Sequence, residues 1–209
     1  MQPTFRKLES TRQEAILDAA AAVFAERGYH GANIPAICER ACVSTGALYK
    51  YFRNKEALFR AVLDRGVDII QAFYDGFTPG EIFSTIATVL EEIVPLTKTF
   101  RPYLILYIDI GGYSLNTFAD YISERFESVG QDFFYRLVET AKTRGEVRTD
   151  VKSDHAAYLI DSYVILFSYA LVSEHYRRRF DRFFQQRQER LSDQGRIELI
   201  MDSLRMFLI

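Results

Sequence analysis

Only two cysteines, five prolines and eleven glycines occur among the 209 residues, and tryptophan is absent. Each scarcity excludes something. Cys38 and Cys42 stand four apart on one predicted helix, a spacing that does not suit an unstrained disulfide, so a reducing cytoplasm is the expected setting. Sparse Pro and Gly disfavour a turn-rich β fold and favour an all-α one. Charge of one sign is missing as well: the net charge is −2, so the molecule as a whole does not advertise nucleic-acid binding. Apolar runs are short except for Ala156 to Val172, which contains Asp161 and is interrupted by Ser162 and Ser168. It reads as a buried helix, not a membrane span. The opening Met1-Gln2-Pro3-Thr4-Phe5-Arg6-Lys7 has no apolar signal-peptide core. There is no Gly-rich phosphate loop, no HExxH and no paired Cys motif, and His30, His155 and His175 are scattered. Asp150, Asp154 and His155 lie near a helix start, where Asp and Ser read as caps before they read as metal ligands. No enzymatic activity, cofactor, metal or membrane partner is therefore expected.

What is present is helical periodicity and a local excess of positive charge. Through Arg65, ten Lys and Arg stand against seven Asp and Glu, and the remainder is net acidic. Thr11-Arg12-Gln13-Glu14 fits a capping box; Ile16, Ala20, Val23 and Phe24 follow at helical spacing, and Gly28 is expected to end that helix with positive φ. Asn33 can cap a second, short helix with Pro35 in its first turn, and Ile34, Ile37 and Ala41 face inward. Cys42-Val43 is the turn, Ser44 the next N-cap and Phe52 the close of a third helix. A bracing helix followed by two short helices around a tight turn is the helix-turn-helix arrangement. Thr45, Gly46 and Ala47 leave the first turn of the third helix unobstructed and are the candidate base readers. Tyr49, Lys50, Tyr51 and Lys55 supply hydroxyls and charge for phosphates. Helix starts are expected at Asn54, Thr78 (with Pro79 and Glu81), Pro102, Asn116 and Ser153. Ends are expected near Phe77, Pro95, Ile110, Gly145 and Tyr176. A polar connector from Arg177 to Gln194 precedes a last helix carrying Ile197, Ile200, Met201, Leu204 and Leu208.

The stretch from Ile34 to Leu58, extended back through Ile16 to Ala20 and Phe24 to Tyr29, resembles the N-terminal domain of TetR-family transcriptional regulators. The family usually has Thr where Asn33 stands, Ala at Cys38 and Gly at Cys42. Asn caps as well as Thr, whereas a non-Gly residue at Cys42 is costly if its φ is positive. The resemblance implies a three-helix helix-turn-helix DNA-binding domain over residues 1–53. It implies a larger helical ligand-binding and dimerisation domain over 54–209, with two copies forming an Ω-shaped homodimer. Asn33, Ser44, Thr45, Gly46, Ala47, Tyr49, Lys50, Tyr51 and Lys55 are the expected DNA-binding residues, and a palindromic operator of double-stranded DNA would match the dimer's symmetry.

Beyond residue 54 the aromatics are numerous. Phe73, Phe77, Tyr103, Tyr107, Phe118, Tyr121, Phe126, Phe134, Tyr163 and Phe167 either line an apolar pocket for a small hydrophobic or aromatic effector or pack the core. Asn116, Arg125, Asp109 and Asp161 can orient a polar end of that effector. The Ala156–Val172 helix is apolar nearly all round and needs cover on more than one side. Leu159, Tyr163, Leu166, Ile197, Met201, Leu204 and Leu208 are the expected dimer contacts. The function implied is a cytoplasmic repressor released from its operator by the effector. The alternative is a regulator of the same kind without a small-molecule inducer, acting as an activator or through a protein partner.

Overall fold

A computed structural model describes residues 2–111, 113–184 and 191–209, without the side chains of Tyr113, Ser114, Asn116, Ala119 and Ile122. Among the described residues every regular element is helical. In chain order they are α1 (Pro3–Arg6), α2 (Ser10–Gly31), α3 (Ile34–Ala41), α4 (Thr45–Tyr51), α5 (Lys55–Asp75), α6 (Ile82–Thr99) and α7 (Arg101–Ile110). A 3₁₀ turn (Tyr113–Phe118), α8 (Ala119–Ile122) and a π-helical turn (Ser123–Glu127) follow, then α9 (Ser128–Thr143), α10 (Ser153–Val172), α11 (Glu174–Phe183) and α12 (Asp193–Leu208). The chain forms two compact units. One is Met1–Ile70 with Pro102–Ser123, the other Gln71–Arg101 with Glu124–Ile209.

In the first unit, α2 buries Ile16, Leu17, Ala20, Val23 and Phe24 along one face. The expected Thr11 capping box does not form. The helix begins at Ser10, Glu9 precedes it without a side-chain cap, and the Glu9 carbonyl accepts from the backbone N–H groups of Arg12 and Gln13 at 3.0 Å each. Gly28 has the expected positive φ, 67°, but its ψ of 164° lies outside the left-handed helical region, and one more turn follows to Gly31. α3 starts as the sequence requires: Asn33 Oδ1 accepts from Ala36 N at 2.9 Å. It ends at Cys42, which adopts φ 50° and ψ 49°. Cys42 N donates to Glu39 O at 3.2 Å and Val43 N to Cys38 O at 3.0 Å, the two bonds of a Schellman close. Arg12 donates to the Cys42 carbonyl at 3.0 Å and pins this turn to α2. Ser44 Oγ then accepts from Ala47 N at 3.1 Å, and α4 runs with Leu48 buried.

The other end of α4 is closed by α1. The last carbonyls of any helix lack an intrahelical donor. Here Thr4 Oγ1 donates to Lys50 O at 2.6 Å and Gln2 N to Tyr51 O at 3.0 Å. Phe5, wholly buried, sets its ring 4.7 Å from that of Phe52 and 5.6 Å from that of Tyr51.

In the second unit α10 packs against α6, α9, α11 and α12. By length and mean hydropathy (1.4) α10 could cross a membrane, yet only 39% of its apolar window is buried within the chain. Several boundaries differ from the sequence pattern. Thr78 does not cap α6; Glu81 does, its carboxylate accepting from Phe83 N at 3.1 Å and Ser84 N at 2.7 Å. Pro95 lies inside α6, which continues to Thr99, because burial of Ile93 and Thr97 around it outweighs the lost hydrogen bond. The single helix expected from Asn116 to Gly145 is broken by the 3₁₀ and π turns on either side of the four-residue α8, and α9 is its one long regular part. α10 ends at Val172, not Tyr176, and its C-terminal carbonyl accepts from Arg101 at 3.0 Å. Ser153 is the first helical residue and carries no cap; its hydroxyl donates to Glu139. The first part of the polar connector from Arg177 belongs to α11 (Glu174–Phe183). Its Asp181 accepts from the buried Arg196 at 2.6 Å, with Asp193 at 3.0 Å on the same guanidinium. Residues 185–190 of that expected connector lie outside the described residues.

Among the described residues Cys42 alone is a non-glycine with positive φ. The left-handed conformation costs an L-residue about 1 kcal/mol relative to glycine. Cys42→Gly is therefore expected to raise the thermal unfolding midpoint of the first unit by about 2–4 °C. A lower midpoint would show that the Cys42 side chain contributes more than its backbone costs.

Candidate functional site

The outward face of α4 is built from small and polar side chains. Thr45, Gly46, Tyr49 and Lys50 are exposed, Tyr49 by 52%, and Ala47 and Tyr51 are half-buried. No atom lies within 4 Å of where a Cβ on Gly46 would stand, so a duplex can approach the backbone there. Ser44 and Asn33 spend their side-chain oxygens on the caps of α4 and α3. Tyr51 rests its ring on Phe5. Lys55 departs from the expected phosphate anchor. Its ammonium donates to the carbonyls of Tyr29 at 2.9 Å, Ala32 at 3.1 Å and His30 at 3.4 Å and lies 4.8 Å from the Tyr29 ring centroid. A cation at the C-terminal end of a helix is favoured by the exposed carbonyls there. Lys55 thus fastens α5 to the last turn of α2 and belongs to the scaffold that orients α4.

The segment 102–123 packs on the same scaffold. Tyr103 donates to Asp18 Oδ1 at 2.6 Å, and Arg65 Nε reaches the same oxygen at 2.8 Å. Burial, then the Asp18 hydrogen bond, raises the Tyr103 phenol well above its ordinary range, so it stays a donor. Phe118 sits edge-on to Tyr29 at 5.2 Å and Phe59 at 4.9 Å. Arg60 lies 4.6 Å from the Tyr121 ring centroid, and the Tyr121 hydroxyl donates to Asp64. Tyr103, Phe118 and Tyr121 were expected in an effector pocket; they instead tie this segment to α2 and α5.

In the second unit a cavity of about 450 Å³ is lined by Tyr74, Phe77, Pro79, Val129 and Phe133, with Gln71, Asp132 and Arg136 among its polar residues. Tyr74 is buried against Phe133 at 4.8 Å and Phe134 at 5.5 Å. Beside it stands Asp161 of α10. A Cβ added to Gly130 of α9 would come within 2.5 Å of Asp161 Oδ1, so the glycine provides the seat of the carboxyl group. Burial, and secondarily the charge of Glu127, push the Asp161 carboxyl up to about 7. Burial and the Asp161 charge raise the Tyr74 phenol.

Residues 16–62 match the family model described as "Bacterial regulatory proteins, tetR family". The HTH-type transcriptional regulator UidR of Escherichia coli K12 is 26% identical over 147 residues, 69% of this chain and 74% of UidR. Over these residues the chain is similar to the TetR family of bacterial transcriptional regulators. Solved structures share the fold over nearly the whole of this chain. CifR, complexed with a 26-bp double-strand operator DNA, superposes with TM-score 0.66 at 20% identity over 93% of this chain and 95% of CifR. FadR from Bacillus subtilis, complexed with stearoyl-CoA, gives 0.61 at 17% identity over 90% of this chain and 97% of FadR.

The ten aromatics expected to line one pocket divide between the two units. Besides Tyr103, Phe118 and Tyr121, Tyr107 falls in the first. In the second, Phe134 and Phe167 are wholly buried core residues. Phe77 lines the cavity, and Phe73, Phe126 and Tyr163 are half-buried. Asn116 lies outside the described side chains. Of the expected dimer contacts, Ile197, Met201, Leu204 and Leu208 are 4% exposed or less, because the apolar stripe of α12 packs on α6 and α10 of its own chain. Leu166 is exposed, and Leu159 and Tyr163 half-buried. Sequence reasoning missed the α1 brace (Thr4, Phe5), the Arg12 contact to the turn and Tyr74. Phe5 carried the one available signal, an apolar residue at the N-terminal side of a helix that otherwise starts without one.

The raised Asp161 value fixes a sign. An ordinary Asp ionises near 4, so the unfolded chain loses this proton before the folded chain does. The folded state therefore loses stability as pH rises from about 4 to about 7, by an amount on the order of 4 kcal/mol. Asp161→Asn removes that slope. The variant is expected to be more stable than the parent at pH 8 and to converge on it by pH 4.5, read from urea unfolding midpoints; a pH-independent difference would contradict the assignment.

Proposed function

We propose that the protein is a cytoplasmic repressor. As a homodimer it holds two copies of α4 on a palindromic operator, and it releases DNA when a small hydrophobic or aromatic molecule binds the body of the chain. Residues 1–53 form the DNA-binding domain and 54–209 the effector and dimerisation domain. The observation that carries this reading is the face of α4, where Thr45 and Gly46 lie open on a helix clamped at both ends. Thr45, Gly46 and Ala47 face base edges. Tyr49, Lys50 and Tyr51 take phosphates, with Ser44 and Asn33 contributing through the helix starts they cap. The solved neighbour with operator DNA supports the first half of the reading, and the one with stearoyl-CoA supports an effector site.

Dimerisation is supported by apolar surface left open on the second unit. Tyr158 (76%), Leu166 (41%) and Met206 (85%) are exposed on α10 and α12. A second copy covering them would place recognition helices about 34–36 Å apart, one turn of B-DNA. For the switch, α5 is covalently continuous from Lys55 to Asp75. Tyr103 and Arg65 share Asp18 of the bracing helix. A shift of either element on effector binding would reach α2 and change the spacing, a difference in affinity between two dimer states.

DNA selected from a random pool by the full chain supplies the ligand for the test. Tyr49→Phe is expected to weaken binding to specific and non-specific DNA alike, by about threefold to tenfold. Thr45→Ala should instead relax preference at one symmetric pair of positions, at about 1–3 kcal/mol per site. Unchanged affinity and unchanged preference in both variants would remove α4 as the reading element.

A further inference from the structure

α1 is closed onto α4 by groups that leave its own charges unused. The closing contacts are the Thr4 hydroxyl on the Lys50 carbonyl, the Gln2 N–H on the Tyr51 carbonyl and the Phe5 ring against Tyr51 and Phe52. Arg6, the last residue of α1, and Lys7, its C-cap, follow directly. Both are exposed, and neither side chain makes a hydrogen bond or an ion pair among the described residues. Their place at the end of α1 offers little in return, because a helix of four residues sums few peptide dipoles.

The surroundings are of one sign. Residues 2–8 and 44–55, which the closing contacts bring together, contain Arg6, Lys7, Lys50, Arg53 and Lys55 and no Asp or Glu. Lys55 is spent on the carbonyls at the end of α2. The other four are exposed and without a partner among the described residues. By contrast Arg40, Arg60 and Arg65 of the same unit each meet a carboxylate, at 2.6, 3.0 and 2.8 Å. Like charges gathered at one end of a helix repel one another, and no packing or hydrogen bond within the described chain offsets this. Scale matters as well. The seven residues of α4 span about 10 Å, and the major groove of B-DNA is about 12 Å wide. Long side chains just past the end of so short a helix reach the groove wall, where the phosphates stand.

We infer that Arg6 and Lys7, fixed beside the C-terminal end of α4 by Thr4 and Phe5, bind backbone phosphates next to the bases that α4 reads, with Lys50 and Arg53 completing the basic patch. This rests on the reading that α4 enters DNA. The chemistry is charge-assisted hydrogen bonding without base-edge readout. The Arg6 guanidinium can take two oxygens of one phosphate, and the Lys7 ammonium acts as a point charge. α1 is then a DNA contact as well as a clamp, and recognition has two parts. The face of α4 selects sequence, and the α1 segment adds affinity that every sequence shares.

The test uses the full chain, its selected duplex and a scrambled duplex of the same length. Affinity is read by fluorescence anisotropy over about 50–200 mM salt. In the double variant Arg6→Gln with Lys7→Gln, the slope of log affinity against log salt is expected to fall by about one for each charge removed from each protomer. Affinity should drop at least about tenfold on both duplexes. The sequence selected from a random pool should not change, in contrast to Thr45→Ala. The charge-conserving exchange Arg6→Lys with Lys7→Arg should keep the parent slope. Because both side chains are exposed and unpaired, the melting midpoint of the Gln variant should stay within about 2 °C of the parent. An unchanged slope, or a midpoint that falls by more than that, overturns the inference. If Tyr49→Phe and Thr45→Ala still act, the α4 reading stands without it. No DNA bound by the parent chain removes both.

Discussion

A helix of seven residues cannot hold itself in place. At that length helix formation in water is unfavourable even for the best sequences, and α4 contains Gly46 and two aromatics. Its geometry has to be imposed from outside, and the first unit imposes it at both ends. At the N-terminal end Arg12 grips the Cys42 carbonyl of a Schellman turn, and Ser44 caps the helix that follows. At the C-terminal end Thr4 and the Gln2 N–H occupy the carbonyls of Lys50 and Tyr51, with Phe5 wedged beside Phe52. Leu48 and Phe52 anchor the underside. What remains free is the face of Thr45, Gly46, Tyr49 and Lys50. The proposed binding surface is the part of α4 that the scaffold does not use, which is why it can be polar and small without weakening the fold.

The same logic extends to the groups that look functional and prove structural. Lys55 has the charge and position of a phosphate contact, but three carbonyls at the end of α2 lie closer to hand. It holds α5 to the last turn of α2. Tyr103, Phe118 and Tyr121 have the aromatic character of an effector pocket, yet they fasten a distant stretch of sequence to α2 and α5. In the second unit Asp161, a charge within an apolar helix, stands where Gly130 of α9 leaves it room.

The helix-turn-helix was legible in the sequence because its signals are local. Asn33 and Ser44 cap where caps were expected, Cys42 takes the positive φ that its neighbours require, and Leu48 and Phe52 are buried. Boundaries failed where a long-range contact decided the matter. Glu81 caps α6 while Arg144 holds the Gly80 carbonyl and Glu146 the Ile82 N–H. Pro95 stays in its helix through tertiary burial. Asp181 and Arg196, fifteen residues apart, turn a polar connector into a docked helix. Periodicity identified the apolar stripe of α12 but could not say whose core it enters; the structure places it against α6 and α10 of the same chain. The seat of Asp161 on Gly130 pairs residues thirty-one apart, a proximity that no spacing rule reveals.

The central claim is that α4 is the surface that meets DNA and that α1, α2 and α3 serve to hold it. Amide hydrogen exchange across the full chain, with and without its selected duplex, tests this most directly. The account predicts that DNA slows exchange in residues 33–36 and 44–51, while the segment 102–123 and the second unit change little. Unaltered exchange through 44–51, with protection appearing elsewhere, would contradict it.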